Sequence, residues 1–189
     1  MVTVSDQSGE TPRNRRQEET FRKVLTAGVE MLRESSYAAL TVRAVAARAK
    51  VAPATAYTYF SSKNHLIAEA YLDLMRQVPY FTDVNDSTAI RVEKALRAMT
   101  LVIADEPEVA AACTTALLST NDPAVTTVRD RIGAETHRRI RSAMGPDADP
   151  RTVSALEMTY FAARGHAGSG YVRYREIADR LTYVGGLIL

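Results

Sequence analysis

The chain has no tryptophan and a single cysteine, Cys113, among its 189 residues. One thiol excludes an intramolecular disulfide and suits a reducing compartment. Glycine and proline are sparse, nine and seven, while alanine is abundant, which favours helix over strand. No apolar run approaches the roughly 18 residues that a membrane span needs. Residues 1–11 are polar and carry Asp6 and Glu10 without an apolar core, unlike a secretory signal. The expectation is a soluble cytoplasmic protein with no membrane partner. Three histidines, His65, His137 and His166, stand too far apart for a metal motif, and there is no glycine-rich phosphate loop or nucleophile elbow. Cys113 has no histidine companion, and its neighbours Ala111, Ala112, Thr114 and Thr115 suggest either a buried inert thiol or a redox sensor. No cofactor, metal or catalytic residue is expected.

What is present is apolar material and an uneven distribution of charge. Hydrophobic residues make up 46% of the chain and charged residues 24%, enough for a packed core. The net charge of +2 conceals a division along the sequence. Residues 11–63 hold ten Lys/Arg against four Glu, whereas residues 64–189 hold fourteen Lys/Arg against sixteen acids. A basic head on a slightly acidic body is the footprint of a polyanion binder, or else an ordinary solvated helix surface.

Helical periodicity runs through most of the chain. Phe21, Val24, Leu25, Gly28 and Leu32 recur at one-face spacing and predict a long first helix from about Asn14. Thr41 is a natural N-cap for a short second helix that turns Val42, Val45, Ala46 and Ala49 inward. A third helix is predicted from Pro53 to near Phe60, and Ser62 is placed to cap a fourth. Residues 79–87 form a linker. Pro107, Pro123 and Pro150 each follow an acid (Glu106, Asp122, Asp149), which pairs a cap or dipole partner with a favoured first helical residue. The later helices are expected near 88–104, 107–119, 123–144, 150–168 and 173–188. The fold class is all-α, about nine helices: a disordered tail over 1–12, a helix-turn-helix head over 13–62, and a body over 63–189.

The head suits DNA. Two short helices joined by a tight turn against a longer first helix form a helix-turn-helix unit. The outer side of the third helix then presents Pro53, Ala54, Thr55, Tyr57, Thr58 and Tyr59. Threonine hydroxyls can reach phosphates or base acceptors, and an alanine or threonine methyl can meet a thymine methyl. Tyr57 and Tyr59 either reach phosphates with their polar tips or pack the head, whereas Phe60 is expected inside. Arg43 lies in the first turn of the second helix, beside the amides that Thr41 leaves facing outward. Residues 13–16 (Arg-Asn-Arg-Arg) form either a minor-groove arm or a soluble tail.

The stretch LTVRAVAARA over 40–49, then Val51, then TAYTYFSSKNHL over 55–66 resembles the TetR family signature: a Thr-started helix, Tyr-x-Tyr-Phe, and a lysine three residues beyond. The resemblance implies a double-stranded operator DNA partner, with phosphate contacts from Thr41, Tyr57 and Lys63 and groove contacts from Arg43, Ala54, Thr55 and Tyr59. It also implies a transcriptional regulator, by family default a repressor. Two residues depart from the pattern. Lys50 stands where the family usually has glycine, and Ala52 where it usually has a capping serine or threonine. A left-handed lysine costs about 1 kcal/mol, and a missing cap about as much. Lys50 is placed to offset its cost by facing the DNA backbone.

A helix-turn-helix head makes few contacts alone, so such proteins usually dimerise to read two half-sites. The resemblance implies that the last two helices pair between copies. Ala155, Met158 and Ala162 on the penultimate helix, with Tyr183 and Leu187 on the last, are the candidate homodimer contacts, with intrachain core as the alternative. The apolar end, Gly-Leu-Ile-Leu, is abrupt enough that a few residues are expected beyond it. The resemblance further implies an effector pocket among the middle helices. Its candidate lining is Met99, Val102, Ile103, Cys113, Leu117, Leu118, Ile132, Tyr160, Phe161 and Arg164, each with core packing as the other reading. The expected effector is hydrophobic or amphiphilic, such as a fatty acyl chain, with Arg164 or His166 meeting a polar head. An architectural DNA binder with no effector shares the head and differs only in lacking a cavity.

Overall fold

The structure, a computed structural model, describes residues 14–119 and 121–189. Among them are nine helices and no strand: α1 Arg15–Glu34, α2 Val42–Arg48, α3 Pro53–Tyr59, α4 Lys63–Gln77, α5 Thr88–Leu101, α6 Pro107–Leu117, α7 Pro123–Met144, α8 Pro150–Gly168 and α9 Tyr174–Ile188. The expected tail over 1–12 and Arg13 of the basic arm lie outside the described residues. Arg15 and Arg16 are the first two residues of α1 rather than an extended arm. The reason is local: Asn14 and Gln17 form a capping box that closes the helix just ahead of them.

Side-chain caps set most of the other starts. Thr41 accepts from the Ala44 amide at 3.1 Å, Ser62 from His65 at 3.0 Å, and Asp149 from Thr152 at 3.0 Å. Asp122 accepts from both Ala124 and Val125. Glu106, however, makes no capping bond at the start of α6. Its carboxylate reaches across to Arg33 on α1 at 2.5 and 2.7 Å. The acid-then-proline pattern therefore locates three helix starts, but one of its acids serves tertiary structure.

The first three helices pack around Val24, Leu32, Val45, Ala46, Ala56 and Phe60, all buried, and Phe60 stacks on Phe21 at 4.9 Å. Gly28 lets α1 close on α4, since a Cβ there would stand 2.7 Å from Leu66 Cδ2. Helix α4 continues from this head into the body, packing on α1, α6 and α7. In the body α5 lies along α9, and α8 packs on both α7 and α9. A buried ion pair, Arg139 with Glu135 at 2.8 Å, also donates to the carbonyls of Arg76 and Val78. It thereby fixes the end of α4 with hydrogen bonds that a buried charge requires. No helix among the described residues is long and apolar enough to cross a membrane.

Candidate nucleic-acid interface and effector cavity

The turn between α2 and α3 takes its shape from two backbone hydrogen bonds. Lys50 N–H donates to Ala47 O at 3.1 Å and Val51 N–H to Ala46 O at 2.9 Å, the pairing of a Schellman motif. Lys50 itself has φ +55°, the left-handed conformation expected at that position. Ala52 provides no side-chain cap to α3, and Pro53 occupies its first turn. The turn thus keeps its geometry through the backbone, with lysine where glycine would be less strained.

Most of the expected DNA contacts around this turn are open to solvent. Thr41, Arg43, Lys50, Ala54, Thr55 and Tyr57 are all exposed, Tyr57 by 52%. Tyr59 is placed differently: it is half-buried, with its ring edge-on to Phe21 at 6.0 Å. The alternation Tyr-x-Tyr-Phe explains this, because residues 57 and 59 are about 200° apart around a helix and only one can face outward. Lys63 is also restrained. Its Nζ donates to Tyr37 O at 3.2 Å and lies 4.2 Å from the Tyr37 ring centroid, so the free point charge expected there is instead tethered beside the interface.

Ion pairing sorts the cations of the head. Arg48 is held by Glu34 at 2.6 Å and Glu30 at 3.3 Å, Arg33 by Glu106, Arg22 by Glu18, and Arg15 by Glu19. Arg43 and Lys50 have no acidic partner among the described residues. Of the head's unpaired cations, Arg16 and Lys23 lie on α1, while Arg43 lies at the start of α2 and Lys50 in the α2–α3 turn.

Beyond the packing of α4 and α1 on the body helices, polar contacts tie this head to the body. Besides Arg33–Glu106, the Ser62 hydroxyl donates to Asp122 Oδ2 at 2.6 Å, joining the starts of α4 and α7. The Arg33 hydrogen bond holds the Glu106 carboxyl below its ordinary range, and the Ser62 hydroxyl does the same for Asp122. Nearby, Arg131 pairs with the buried Glu69 at 2.5 Å. These pairs went unseen in the sequence, because residues 60 or more positions apart share no periodicity.

In the body a cavity of about 220 Å³ opens between three helices. Its walls are Thr114, Leu117 and Leu118 at the end of α6, Arg129 and Ile132 from α7, and Phe161, Arg164 and Gly165 from α8. Five of the expected pocket residues meet here: Leu117, Leu118, Ile132, Phe161 and Arg164. The others do not. Met99, Ile103, Cys113 and Tyr160 are fully packed in the interior, and Val102 is half-buried away from the cavity. Tyr160 is occupied by Tyr71 and by the Met99 carbonyl, to which it donates at 3.3 Å. Thr114, Arg129 and Gly165 were missed. Their signal was spacing: 114/117/118 and 161/164/165 each fall at i, i+3, i+4 on one helical face.

The two expected interface helices expose apolar side chains. Met158, Tyr183 and Leu187 are 71%, 71% and 70% exposed, Ala162 is exposed, and Ala155 is half-buried. Helices α8 and α9, which pack on one another, thus each leave large apolar side chains in solvent.

Comparison with known proteins places these features in context. Residues 24–70 match the description "Bacterial regulatory proteins, tetR family". Uncharacterised HTH-type transcriptional regulators of Mycobacterium tuberculosis and Mycobacterium bovis are 71% identical over 178 residues, spanning 94% of this chain and 84% of theirs. A TetR transcriptional regulator from Rhodococcus sp. RHA1 has the same fold with a TM-score of 0.77 at 22% identity, over 92% of this chain and 97% of that one. FadR from Bacillus subtilis, solved in complex with stearoyl-CoA, aligns at a TM-score of 0.57 and 14% identity, over 87% and 96% of the two chains.

Proposed function

This chain belongs to the TetR family of bacterial transcriptional regulators, and from that premise we propose that it is a repressor that grips operator DNA as a homodimer and lets go when an amphiphilic small molecule enters its body. Residues 13–62 are the DNA-binding part and residues 63–189 the effector-binding and dimerising part. The observation that carries the DNA reading is the exposure of α3 and its flanks, where Thr41, Arg43, Lys50, Ala54, Thr55 and Tyr57 are all open to solvent and two of them, Arg43 and Lys50, are cations with no acidic partner among the described residues. Arg43 and Lys50 supply charge for phosphates, Thr41 and Tyr57 supply hydroxyls, and Ala54 and Thr55 are small enough to approach base edges. Two such heads read half-sites about 34–36 Å apart, and the apolar faces of α8 and α9 are the surface that holds the copies together.

The effector reading rests on the cavity and its connection to the head. Helix α6 contributes cavity wall at its end and the Glu106–Arg33 pair at its start. A ligand that favours a shifted α6 therefore favours a shifted α1, and with it a different spacing of the two heads. The solved FadR complex with stearoyl-CoA indicates that this fold can accommodate an acyl chain.

The test is fluorescence anisotropy with DNA from upstream of the chain's own gene, titrated at several salt concentrations. Affinity is expected to fall log-linearly with salt, with a slope near −0.9 for each phosphate neutralised. Absence of binding at low salt, or affinity that ignores salt, contradicts the reading.

A further inference from the structure

Arg164 is a cation without an anion. Its guanidinium lies 4.3 Å from the Tyr71 ring centroid and 5.9 Å from that of Tyr160. Its Nε is shut off from solvent and has no hydrogen-bond acceptor. No carboxylate among the described residues pairs with it. A guanidinium taken out of water without an acceptor is costly, and most other half-buried arginines of this chain avoid the cost. Arg131 pairs with Glu69 and Arg91 donates to the Ala143 and Asp86 carbonyls, while the fully buried Arg139, whose Nε also lacks an acceptor, is compensated by Glu135 and by the carbonyls of Arg76 and Val78.

The surroundings of Arg164 have the same character. The cavity it lines has a second guanidinium, Arg129, and no acid in its wall. Arg129 spends two of its five N–H donors on the Leu117 carbonyl at 3.3 Å and the Thr126 hydroxyl at 3.0 Å, whereas Arg164 has no hydrogen-bond acceptor among the described residues and is the freer cation for a ligand. The rest of the wall is Leu117, Leu118, Ile132 and Phe161, with the Thr114 hydroxyl to one side. That hydroxyl is spent on the Ala110 carbonyl. Size narrows the class further. An engineered cavity of about 150 Å³ lined by similar residues binds benzene, and this one measures about 220 Å³. That volume suits a single ring, or an aliphatic body of that bulk, bearing one carboxylate.

We propose that this cavity is a binding site for a small apolar monocarboxylic acid, of single-ring or comparable bulk, whose carboxylate pairs with the guanidinium of Arg164. The assignment rests on the reading of the body as an effector domain and gives that effector a chemical class. Benzoate and its neutral isostere benzamide are the discriminating probes, with palmitate as the long-chain comparison. The readouts on the full chain are thermal stabilisation and calorimetric affinity.

In the parent protein benzoate is expected to bind roughly tenfold or more tightly than benzamide, the worth of one charge-assisted pair, and palmitate to give no calorimetric binding in the same range. Arg164→Gln is expected to retain benzamide binding and lose the preference for the acid. Leu118→Trp, a change at a side chain 72% exposed and therefore safe for folding, is expected to fill the cavity and abolish binding of both. Equal affinity for acid and amide in the parent, an undiminished preference in Arg164→Gln, palmitate binding more tightly than benzoate, or no binding of benzoate overturns the assignment. Anisotropy of bound operator DNA, followed in parallel, separates this result from the broader reading. Benzoate that binds through Arg164 without loosening DNA upholds the site and defeats the effector role. DNA release by palmitate undiminished in Arg164→Gln does the reverse.

Discussion

Lys50 occupies a backbone position for which it is poorly suited, and its φ of +55° is the one left-handed conformation at a non-glycine among the described residues. The strain amounts to about 1 kcal/mol. Lys50→Gly is therefore expected to raise the melting temperature by roughly 2–4 °C, the shift such a gain produces in a chain of this size. If the side chain faces a DNA phosphate, the same variant loses affinity for all sequences and reduces the salt slope by about one contact. A variant that is more stable and a weaker binder fits a lysine retained for function; one no more stable than the parent contradicts the strain argument. Cys113 presents the opposite case, a residue matched to its surroundings. Burial pushes its thiol up to about 12, so at neutral pH almost no thiolate exists to react. A thiol-specific reagent is expected to label the native chain only as fast as the chain unfolds. Rapid labelling under native conditions would return the redox-sensor alternative.

Helix starts were largely legible in the sequence because capping is local chemistry. Thr41, Ser62, Asp122 and Asp149 each bond to amides two or three residues away, within reach of a sequence pattern. Contacts between elements were not. Glu106 has the look of a cap, but its partner Arg33 lies 73 residues away, and nothing in the spacing of one helix reports the position of another. The same limit explains the cavity. Periodicity identified apolar faces on α5, α6, α7 and α8, yet only packing decides that Met99 and Tyr160 close the core while Leu117 and Phe161 line a void. The Arg33–Glu106 pair is the proposed polar link from cavity to head, beside the packing of α6 on α1 and α4, and Arg33→Gln tests it. Operator affinity without effector is expected to change little, since Arg33 lies away from α3. The coupling between effector and DNA, typically roughly 1–3 kcal/mol, is expected to shrink toward zero, measured as the ratio of effector affinities with and without operator. An unchanged ratio would move the connection elsewhere, with Ser62–Asp122 the next pair to break.

At the scale of the whole molecule, the sequence concentrates positive charge in residues 11–63, and the structure shows how that charge is paired. Acids of α1 pair Arg15, Arg22 and Arg48, and Glu106 of the body pairs Arg33, leaving Arg43 and Lys50 beside α3 without an acidic partner among the described residues. In the proposed reading, hydroxyls and charge grip phosphates whatever the sequence, while Thr55 and Ala54 read bases. The direct measurement is the affinity of the parent, Tyr57→Phe and Thr55→Ala for a set of operators, each altered at one base pair. Tyr57→Phe is expected to weaken binding to every operator alike, and Thr55→Ala to flatten discrimination at one position per half-site, where a mismatch costs the parent about 1–3 kcal/mol. If both variants bind every operator as tightly and as selectively as the parent does, α3 does not enter the groove and the account is wrong.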